Sequence, residues 1–391
     1  MAGIAEAADA EDGAGPSAVD LVTAPREEPE KRVTWGELFF DLVYAFAVTQ
    51  VSTLLRADHG WAGAGRALVV FVPAYWAWVG TSVHSNRQDV DKPVDRIGIF
   101  GVGLSALFMG LAIPYAYSDR GVLFGASYWA ARLLLEALVL RWQDFRFNAF
   151  TAGAFLTGPL MLAGGLLHGS ARVTVWAVAA TVDLLIPQLI RRRIAHAHFH
   201  SGHLPERFGL FLIVALGESI VSIGGPATTA DRLPADELAA VAAAFALAAA
   251  LWWVYFAFAA SAIQFAVATA RQQMDMIRHV LSYAHLGFIS GIVAAAVGMH
   301  EAVAHPSHRL GSSLALLLYG GCALFLAVFG YTRWRMFRLW STTRLIAAGV
   351  VVAAVPVASR MTALWALALL AGVVVVLDVV EWVRVARAAG R

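Results

Sequence analysis

The chain has 391 residues, of which 59% are hydrophobic and only 14% are charged, and its mean hydropathy is +0.67. Soluble domains carry about a quarter charged residues, so the composition excludes an ordinary set of soluble domains. A formal net charge of +2 gives no reason to expect a nucleic-acid partner. Cys322 is the single cysteine, which excludes an intramolecular disulfide. The sequence also has no soluble-enzyme motif, so we predict no enzyme activity, no cofactor and no metal site.

The first 32 residues are polar and acidic, as in a disordered tail, and differ from everything that follows. Beyond them, apolar runs long enough to cross about 30 Å of hydrocarbon recur along the whole chain. The sequence therefore predicts an all-α, polytopic membrane helix bundle of 12 transmembrane helices in a lipid bilayer. The predicted spans are 36–55, 64–83, 94–117, 121–141, 149–168, 171–190, 206–224, 237–260, 276–303, 310–330, 341–358 and 361–383.

The basic residues are distributed unequally among the connections between these spans. If the amino terminus is cytoplasmic, 21 of the 29 Lys and Arg residues fall on the cytoplasmic side, 7 fall on the other side, and Arg132 lies within a span. Cytoplasmic loops of membrane proteins are enriched in this way. One missed helix would invert every later loop, so the bias favours twelve spans with both termini in the cytoplasm.

Acidic residues recur at similar offsets in the two halves of the chain. Glu37 and Glu206 open spans one and seven, 169 residues apart, and Asp95 and Asp275 open spans three and nine, 180 residues apart. This pattern predicts two six-helix repeats in parallel orientation, with chance spacing as the alternative. The chain then divides into a cytoplasmic tail, a first half, a His-rich cytoplasmic loop, a second half and a short cytoplasmic tail, at 1–32, 33–193, 194–205, 206–384 and 385–391.

Two carboxylates in spans one and seven are the first candidates for an intramembrane site. A charged side chain at the centre of a membrane helix costs about 2.5–3.5 kcal/mol, so each one marks a functional site or half of a structural pair. Asp41 lies one turn deeper than Glu37 on the same helix face. Glu218 lies deep in span seven beside Gly217, which permits close approach of another backbone. We expect Asp41 to face a functional cavity and Glu218 to carry a proton or cation.

Each of these two interpretations has a structural alternative. Asp41 could stabilise the positive amino end of its helix. Glu218 could be neutralised by a cation on another helix, which would make it half of an ion pair.

Further ionisable residues lie in spans four and six. Arg132 and Glu136 are spaced i, i+4, which predicts a structural ion pair within span four. Asp183 precedes a proline by four residues, and a proline inside a helix frees a carbonyl and can kink the helix. A kink beside an acid suits either a cavity wall or simple packing.

Histidines occur in two groups. His285 in span nine could relay protons or hydrogen-bond to a neighbouring helix. The loop histidines have no cysteine or acid at ligand spacing, so a solvated basic loop is favoured over a metal site. These loop residues are His196, His198, His200 and His203.

Four segments, in their order along the chain, resemble the bacterial low temperature requirement A (LtrA) family. They are Trp35-Gly-Glu-Leu-Phe-Phe-Asp-Leu-Val43, His203-Leu-Pro-Glu-Arg-Phe-Gly-Leu210, Ala215-Leu-Gly-Glu-Ser219 and Tyr283-Ala-His285. The resemblance covers the chain after residue 32. It implies a multi-pass protein of the bacterial inner (cytoplasmic) membrane, without naming a substrate. It also implies that the signature positions are Glu37, Phe39, Asp41, Glu206, Arg207, Gly217, Glu218, Tyr283 and His285.

Buried carboxylates and a histidine in two repeated halves favour a secondary transporter, in one version proton-coupled, for an unidentified small solute or ion. A cation channel is one alternative, since Phe39-Phe-Asp41 looks like the F-S-D opening helix of endolysosomal and bacterial potassium channels, with Phe40 in place of the serine. A non-transporting membrane sensor or scaffold, whose charges are only pairs, is the other. The sequence indicates neither the substrate nor the oligomeric state.

Overall fold

A computed structural model describes residues 31–142, 145, 147–191, 199–229 and 232–389. Within these ranges the chain forms twelve helices and no β-strand, which confirms the predicted all-α fold. Residues 1–30 of the predicted tail, His196 and His198 of the predicted loop, and residues 390–391 lie outside the described part. The helices are α1 (Trp35–Ala57), α2 (Trp61–Arg87), α3 (Pro93–Tyr115), α4 (Gly121–Leu140), α5 (Ala149–Leu166), α6 (Gly169–Leu189), α7 (His203–Thr229), α8 (Ala235–Thr269), α9 (Gln273–Ala304), α10 (Ser312–Phe337), α11 (Thr342–Ala358) and α12 (Ala363–Ala389).

The predicted spans correspond to these helices in order. Eleven of the helices are long and apolar enough to cross a membrane, and α11, an apolar helix of 17 residues, is shorter. At 1.5 Å per residue α11 is about 26 Å long, slightly less than the hydrocarbon core. Its outer face is nevertheless apolar, as Ile346 shows with 68% of its surface exposed. An apolar outer surface over many helices is what contact with lipid requires.

Contacts between helix termini define two ends of the bundle. At the end where α1 begins, which we call the amino end, Arg141 directly after α4 lies 3.8 Å from Asp95 in the first turn of α3. At the same end Arg344 at the start of α11 pairs with Glu381 near the end of α12, with 2.7 Å between Nη2 and Oε2. Sequential helices are therefore antiparallel.

The opposite end, which we call the far end, is joined in the same way. Arg172 at the start of α6 donates to the carbonyl of Ala116, directly after α3, at 2.7 Å. The amide of Leu310 before α10 donates to the carbonyl of Met361 before α12 at 3.3 Å. The helices thus alternate in direction, and both ends of the described chain lie at the amino end.

The first six and the last six helices meet through a small number of elements. Helices α1 and α2 pack against α7 and α9. Aromatic side chains fill this interface, where the rings of Trp78 and Phe211 stack with centroids 4.1 Å apart. The hydroxyl of Tyr75 donates to the carbonyl of Ser282 at 2.8 Å. We call this contact the central interface.

The expected close approach of a backbone at Gly217 is not found. A Cβ atom added there would meet no neighbouring atom within 4 Å. A Cβ at Gly321 of α10 would instead lie 2.5 Å from the carbonyl oxygen of Gly291 in α9. Close helix packing through small residues therefore joins α9 to α10, whereas Gly217 faces open space.

Candidate functional site

The first cluster of buried charges lies at the amino end of the central interface. Arg207 of α7 donates from Nη1 to Glu37 Oε1 at 2.9 Å and from Nη2 to Asp41 Oδ1 at 2.8 Å. The side chains of Arg207 and Glu37 are completely buried, and that of Asp41 is 4% exposed. A buried arginine thus bridges two carboxylates of a helix from the other half of the chain. We call this group the amino-end cluster.

The local sequence of α1 places both carboxylates. Thr34 is the N-cap, and Glu37 closes a capping box by accepting a hydrogen bond from the Thr34 amide at 2.9 Å. Asp41 follows one turn later on the same face. Glu37 therefore marks the helix start, as its position predicts, and it also binds Arg207. Its proposed counterpart Glu206 is exposed, because it precedes Arg207 on a different face of α7.

Aromatic rings and hydroxyls complete the surroundings of Arg207. Its Cζ lies 5.8 Å from the centre of the Phe40 ring and 5.7 Å from that of Trp78. The Trp78 indole donates to Asp41 Oδ1 at 2.7 Å, and Nη1 of Arg207 lies 2.6 Å from Ser85 Oγ. Within the described residues, Asp41 Oδ2 and Arg207 Nε have no hydrogen-bond partner. The cluster is therefore polar, enclosed and incompletely satisfied.

His203 also belongs to this cluster, although it was predicted to lie in the solvated loop 194–205. Helix α7 begins at His203 because Pro205 falls in the first turn, where its missing N–H has no intrahelical role. The imidazole is completely buried, and its Nε2 lies 3.2 Å from Glu37 Oε1. His203 and Arg207, spaced i, i+4, thus present one face of α7 to Glu37.

Asn86 of α2 determines the tautomer of His203. Its Oδ1 accepts from the His200 amide at 3.1 Å, and its Nδ2 donates to the His200 carbonyl at 3.0 Å. These two bonds fix the orientation of the amide group. The same Nδ2 lies 3.2 Å from His203 Nδ1, which must accept, so the proton of the neutral ring is on Nε2 and points to Glu37.

Lys31 closes the cluster at its outer edge. Its ammonium group donates to the carbonyls of Ser85 and Gln88 at the end of α2. Burial lowers the pKa of Lys31 from its ordinary value, and the nearby Glu37 carboxylate opposes this change. With His203 neutral, the two carboxylates and Arg207 carry one net negative charge, and Lys31 supplies the balancing charge from the rim.

Glu218 lies toward the far end of the same pair of helices. It accepts from Thr49 Oγ1 of α1 at 2.6 Å and from Ser222 Oγ at 3.2 Å. Nη1 of Arg56, in the last turn of α1, lies 3.5 Å from Glu218 Oε1. Glu218 is 2% exposed and Arg56 is 26% exposed, so the pair reaches the surface through its arginine. The cation on another helix that we considered as an alternative is thus present.

Asp183 and Arg132 meet inside the first six helices. Arg132 Nη2 lies 3.7 Å from Asp183 Oδ1, and Asp183 also accepts from Thr157 Oγ1 at 2.9 Å and from the Tyr128 hydroxyl. We predicted a pair between Arg132 and Glu136, but Glu136 accepts from Thr151 Oγ1 at 2.9 Å. The buried guanidinium takes its partners from α5 and α6, and this tertiary contact overrides the i, i+4 spacing.

His285 occupies a fourth environment, in the last six helices. Its Nδ1 donates to the carbonyl of Val280 at 3.0 Å, five residues earlier, at the π-helical turn Ile277–Tyr283 of α9. Nε2 therefore carries the lone pair and accepts from the Tyr255 hydroxyl at 2.7 Å. The signature residue Tyr283 stacks on Trp76 of α2 with ring centres 5.6 Å apart. His285 is thus a neutral ring that joins α8 to α9.

The four residues predicted to form one intramembrane site therefore lie in four surroundings, and two of these belong to the central interface. Asp41 and Glu218 mark the two ends of the contact between α1 and α7, which run parallel. Among the other signature positions, Phe39 is 56% exposed and packs against Phe100. Sequence reasoning missed Ser85, Asn86 and His203, whose signals were a polar run at the end of span two and the i, i+4 spacing with Arg207.

An apolar-faced bundle with charges paired across its helices defines a multi-pass membrane protein. The sequence model of the family described as Bacterial low temperature requirement A protein (LtrA) matches residues 32–379, so the chain belongs to this family, as the signature segments indicated. The chain is similar to the uncharacterized protein RA0937 of Rhizobium meliloti (strain 1021), with 29% identity over 314 residues that cover 76% of each chain. No solved structure matches the chain.

Proposed function

We propose that this protein is a secondary transporter of a small solute or ion, in which the first six and the last six helices move against each other at the central interface. In this proposal the amino-end cluster and the Glu218–Arg56 pair close opposite ends of a path between α1 and α7. In this proposal the two halves are the six-helix repeats predicted from the sequence.

The observation that supports this proposal is the position of the buried charges. Glu37 and Asp41 face Arg207 across the central interface at one end, and Glu218 faces Arg56 at the other. Replacing a buried ion pair with apolar residues is often neutral or stabilising, so pairs at both ends of one helix contact need a reason beyond stability. Ion pairs can be replaced by water when an interface opens, whereas an apolar seal would expose surface at a cost of about 25 cal/mol per Å².

The charge balance favours a proton or a small cation as the coupling ion. The carboxylates and Arg207 of the amino-end cluster carry one net negative charge when His203 is neutral, and Asp41 Oδ2 has no partner among the described residues. Lys31 at the rim provides compensation from outside the core of the cluster. A proton or cation that enters the cluster would therefore replace the positive charge that Lys31 supplies. In this proposal Glu218 is the second ion-carrying group, since it is buried beside the partly exposed Arg56.

We further propose that the amino end faces the cytoplasm of a bacterial cell and that both termini lie there. The excess of Lys and Arg in the connections at this end supports the orientation.

Proton flux in proteoliposomes tests the transporter. Purified protein would be reconstituted with an internal pH-sensitive dye, and small solutes would be screened for flux that depends on their gradient. Glu218→Gln is expected to lower this flux at least tenfold, because the amide cannot exchange a proton. Glu301→Gln, at a carboxylate of α9 that is 38% exposed, is the matched control and should retain it.

Three other results would change the assignment. Wild-type flux in Glu218→Gln would remove Glu218 from the coupling path. Cation conductance in planar bilayers without solute-driven flux would favour the channel, and the absence of both would favour a sensor or scaffold.

A further inference from the structure

A cavity of about 540 Å³ opens at the amino end of the last six helices, apart from the central interface. It lies where α10 ends, α11 begins and α12 ends, against the break in α8 at Ala257 and Phe258.

The charged side of the cavity is strongly basic. Arg333, Arg344 and Arg384 line it, together with the single carboxylate of Glu381. Arg344 holds Glu381 with Nε and Nη2, at 2.9 and 2.7 Å from its two oxygens. No protein carboxylate within the described ranges pairs with Arg333 or Arg384. The lining therefore has two positive charges in excess, and these two arginines are available to a ligand.

The floor of the cavity adds hydrogen-bond donors. Ser341, which is 3% exposed, is the N-cap of α11, and its side chain makes no capping bond. The first amides of a helix have no intrahelical partner and point toward an anion at the helix start. Thr342 lines the same region, whereas the hydroxyl of Thr343 already donates to Glu381 Oε1 at 3.2 Å. Donors and arginines thus converge on one place, as a phosphate group requires.

The cavity also has apolar lining residues, three of which are exposed on the outer surface of the bundle. These residues, which we call the apolar wall, are Phe258, Phe337, Leu339 and Val385. Arg338, in the connection from α10 to α11, has a left-handed backbone conformation with φ of 57°. A cavity with a basic side and an apolar wall suits a ligand with an anionic head and a hydrocarbon tail.

We propose that this cavity binds a phosphate-bearing ligand, and that an anionic phospholipid of the surrounding leaflet is its source. The phosphate would lie between Arg333, Arg384 and the start of α11, and an acyl chain would follow the apolar wall. Basic pockets between membrane helices bind anionic lipid head groups in this manner. The site is separate from the central interface, so it does not depend on the proposed transport.

Lipid binding to the delipidated full chain in detergent tests the proposal. The probes are dioctanoyl phosphatidylglycerol, dioctanoyl phosphatidylcholine and inorganic phosphate, followed by native mass spectrometry and thermal unfolding. We expect phosphatidylglycerol to bind and to raise the unfolding temperature more than the other two probes do. The double variant Arg333→Gln/Arg384→Gln should bind it about thirtyfold more weakly, since each basic residue near a lipid surface contributes about fivefold.

Arg360→Gln, at an exposed arginine of the far end, is the matched control and should bind as the wild type does. A response to inorganic phosphate equal to that of the lipid would support the phosphate site and assign it to a soluble ligand. Unchanged phosphatidylglycerol binding in the double variant, or equal binding of both lipids by the wild type, would overturn the proposal.

Discussion

Asn86 determines which nitrogen of His203 carries the proton, although the two residues are 117 positions apart in the chain. The Asn86 amide is oriented by two bonds to the backbone of His200, so it can only donate to His203 Nδ1. The imidazole therefore donates from Nε2 to Glu37, and the amino-end cluster depends on a residue of α2 that carries no charge.

Nitrogen NMR of histidine-labelled protein at pH 8 tests this relationship directly. We expect His203 to show an unprotonated Nδ1 and a protonated Nε2, with the resonance identified by its loss in His203→Gln. Asn86→Asp replaces the donor with an acceptor, so Nδ1 of His203 should then carry a proton. A wild-type His203 with its proton on Nδ1 would contradict the assigned tautomer.

Arg207 is expected to be the most sensitive residue of the amino-end cluster. Arg207→Gln leaves Glu37 and Asp41 buried without their cation, and breaking a buried pair in this way costs about 3–5 kcal/mol. The free energy of unfolding in detergent, measured by denaturant titration, should fall by this amount. Arg96→Gln breaks an exposed pair with Asp91 and should cost less than about 1 kcal/mol. A similar fall in the free energy of unfolding in the two variants would show that the buried pairs of the cluster stabilise the protein no more than an exposed pair does.

The partner of Arg132 can be identified by double-mutant cycles. We expect a coupling free energy of about 0.5–3 kcal/mol between Arg132→Leu and Asp183→Leu, because these groups lie 3.7 Å apart. The cycle with Glu136→Leu should give a smaller value, since Glu136 bonds to Thr151. A larger coupling free energy with Glu136 than with Asp183 would contradict this and favour the pair predicted from the i, i+4 spacing.

Two glycines with different surroundings make a matched test of helix packing. Gly321→Ala places a methyl group 2.5 Å from the backbone of Gly291 and should destabilise the protein by about 1–3 kcal/mol. Gly217→Ala meets no neighbouring atom within 4 Å and should be neutral or slightly stabilising, because alanine favours helix. Thermal unfolding of both variants separates a packing role from a functional role for Gly217.

The helix pattern was predictable from the sequence because apolar length and basic loops are local signals. The spans and their order followed from runs of about 20 apolar residues, and Glu37 was placed correctly at the start of α1. The partners of the buried charges were not predictable, because they depend on which helices become neighbours. Arg132 could reach Glu136 along its own helix, yet α5 and α6 supply its contacts.

His203 shows the same limit at a helix boundary. Its neighbours in the sequence are polar and basic, so a loop was the expected state. Only the packing of α7 against α1 turns it inward, where Glu37 accepts a hydrogen bond from its Nε2. The pattern of i, i+4 spacing with Arg207 was present in the sequence but does not by itself indicate burial.

The reactivity of two introduced cysteines tests movement at the central interface most directly. In a Cys322→Ser background, Ser82→Cys lies in α2 toward the amino end and Ser219→Cys lies in α7 beside Glu218, and both serines are completely buried in this structure. Impermeant thiol reagents would be applied from either side of right-side-out and inverted vesicles, with and without a proton gradient. Movement at the central interface predicts that Ser82→Cys reacts only from the amino-end side and Ser219→Cys only from the far side, and that the gradient shifts the two reactivities in opposite directions. Failure of both cysteines to react from either side under every gradient would contradict the account and indicate a static bundle.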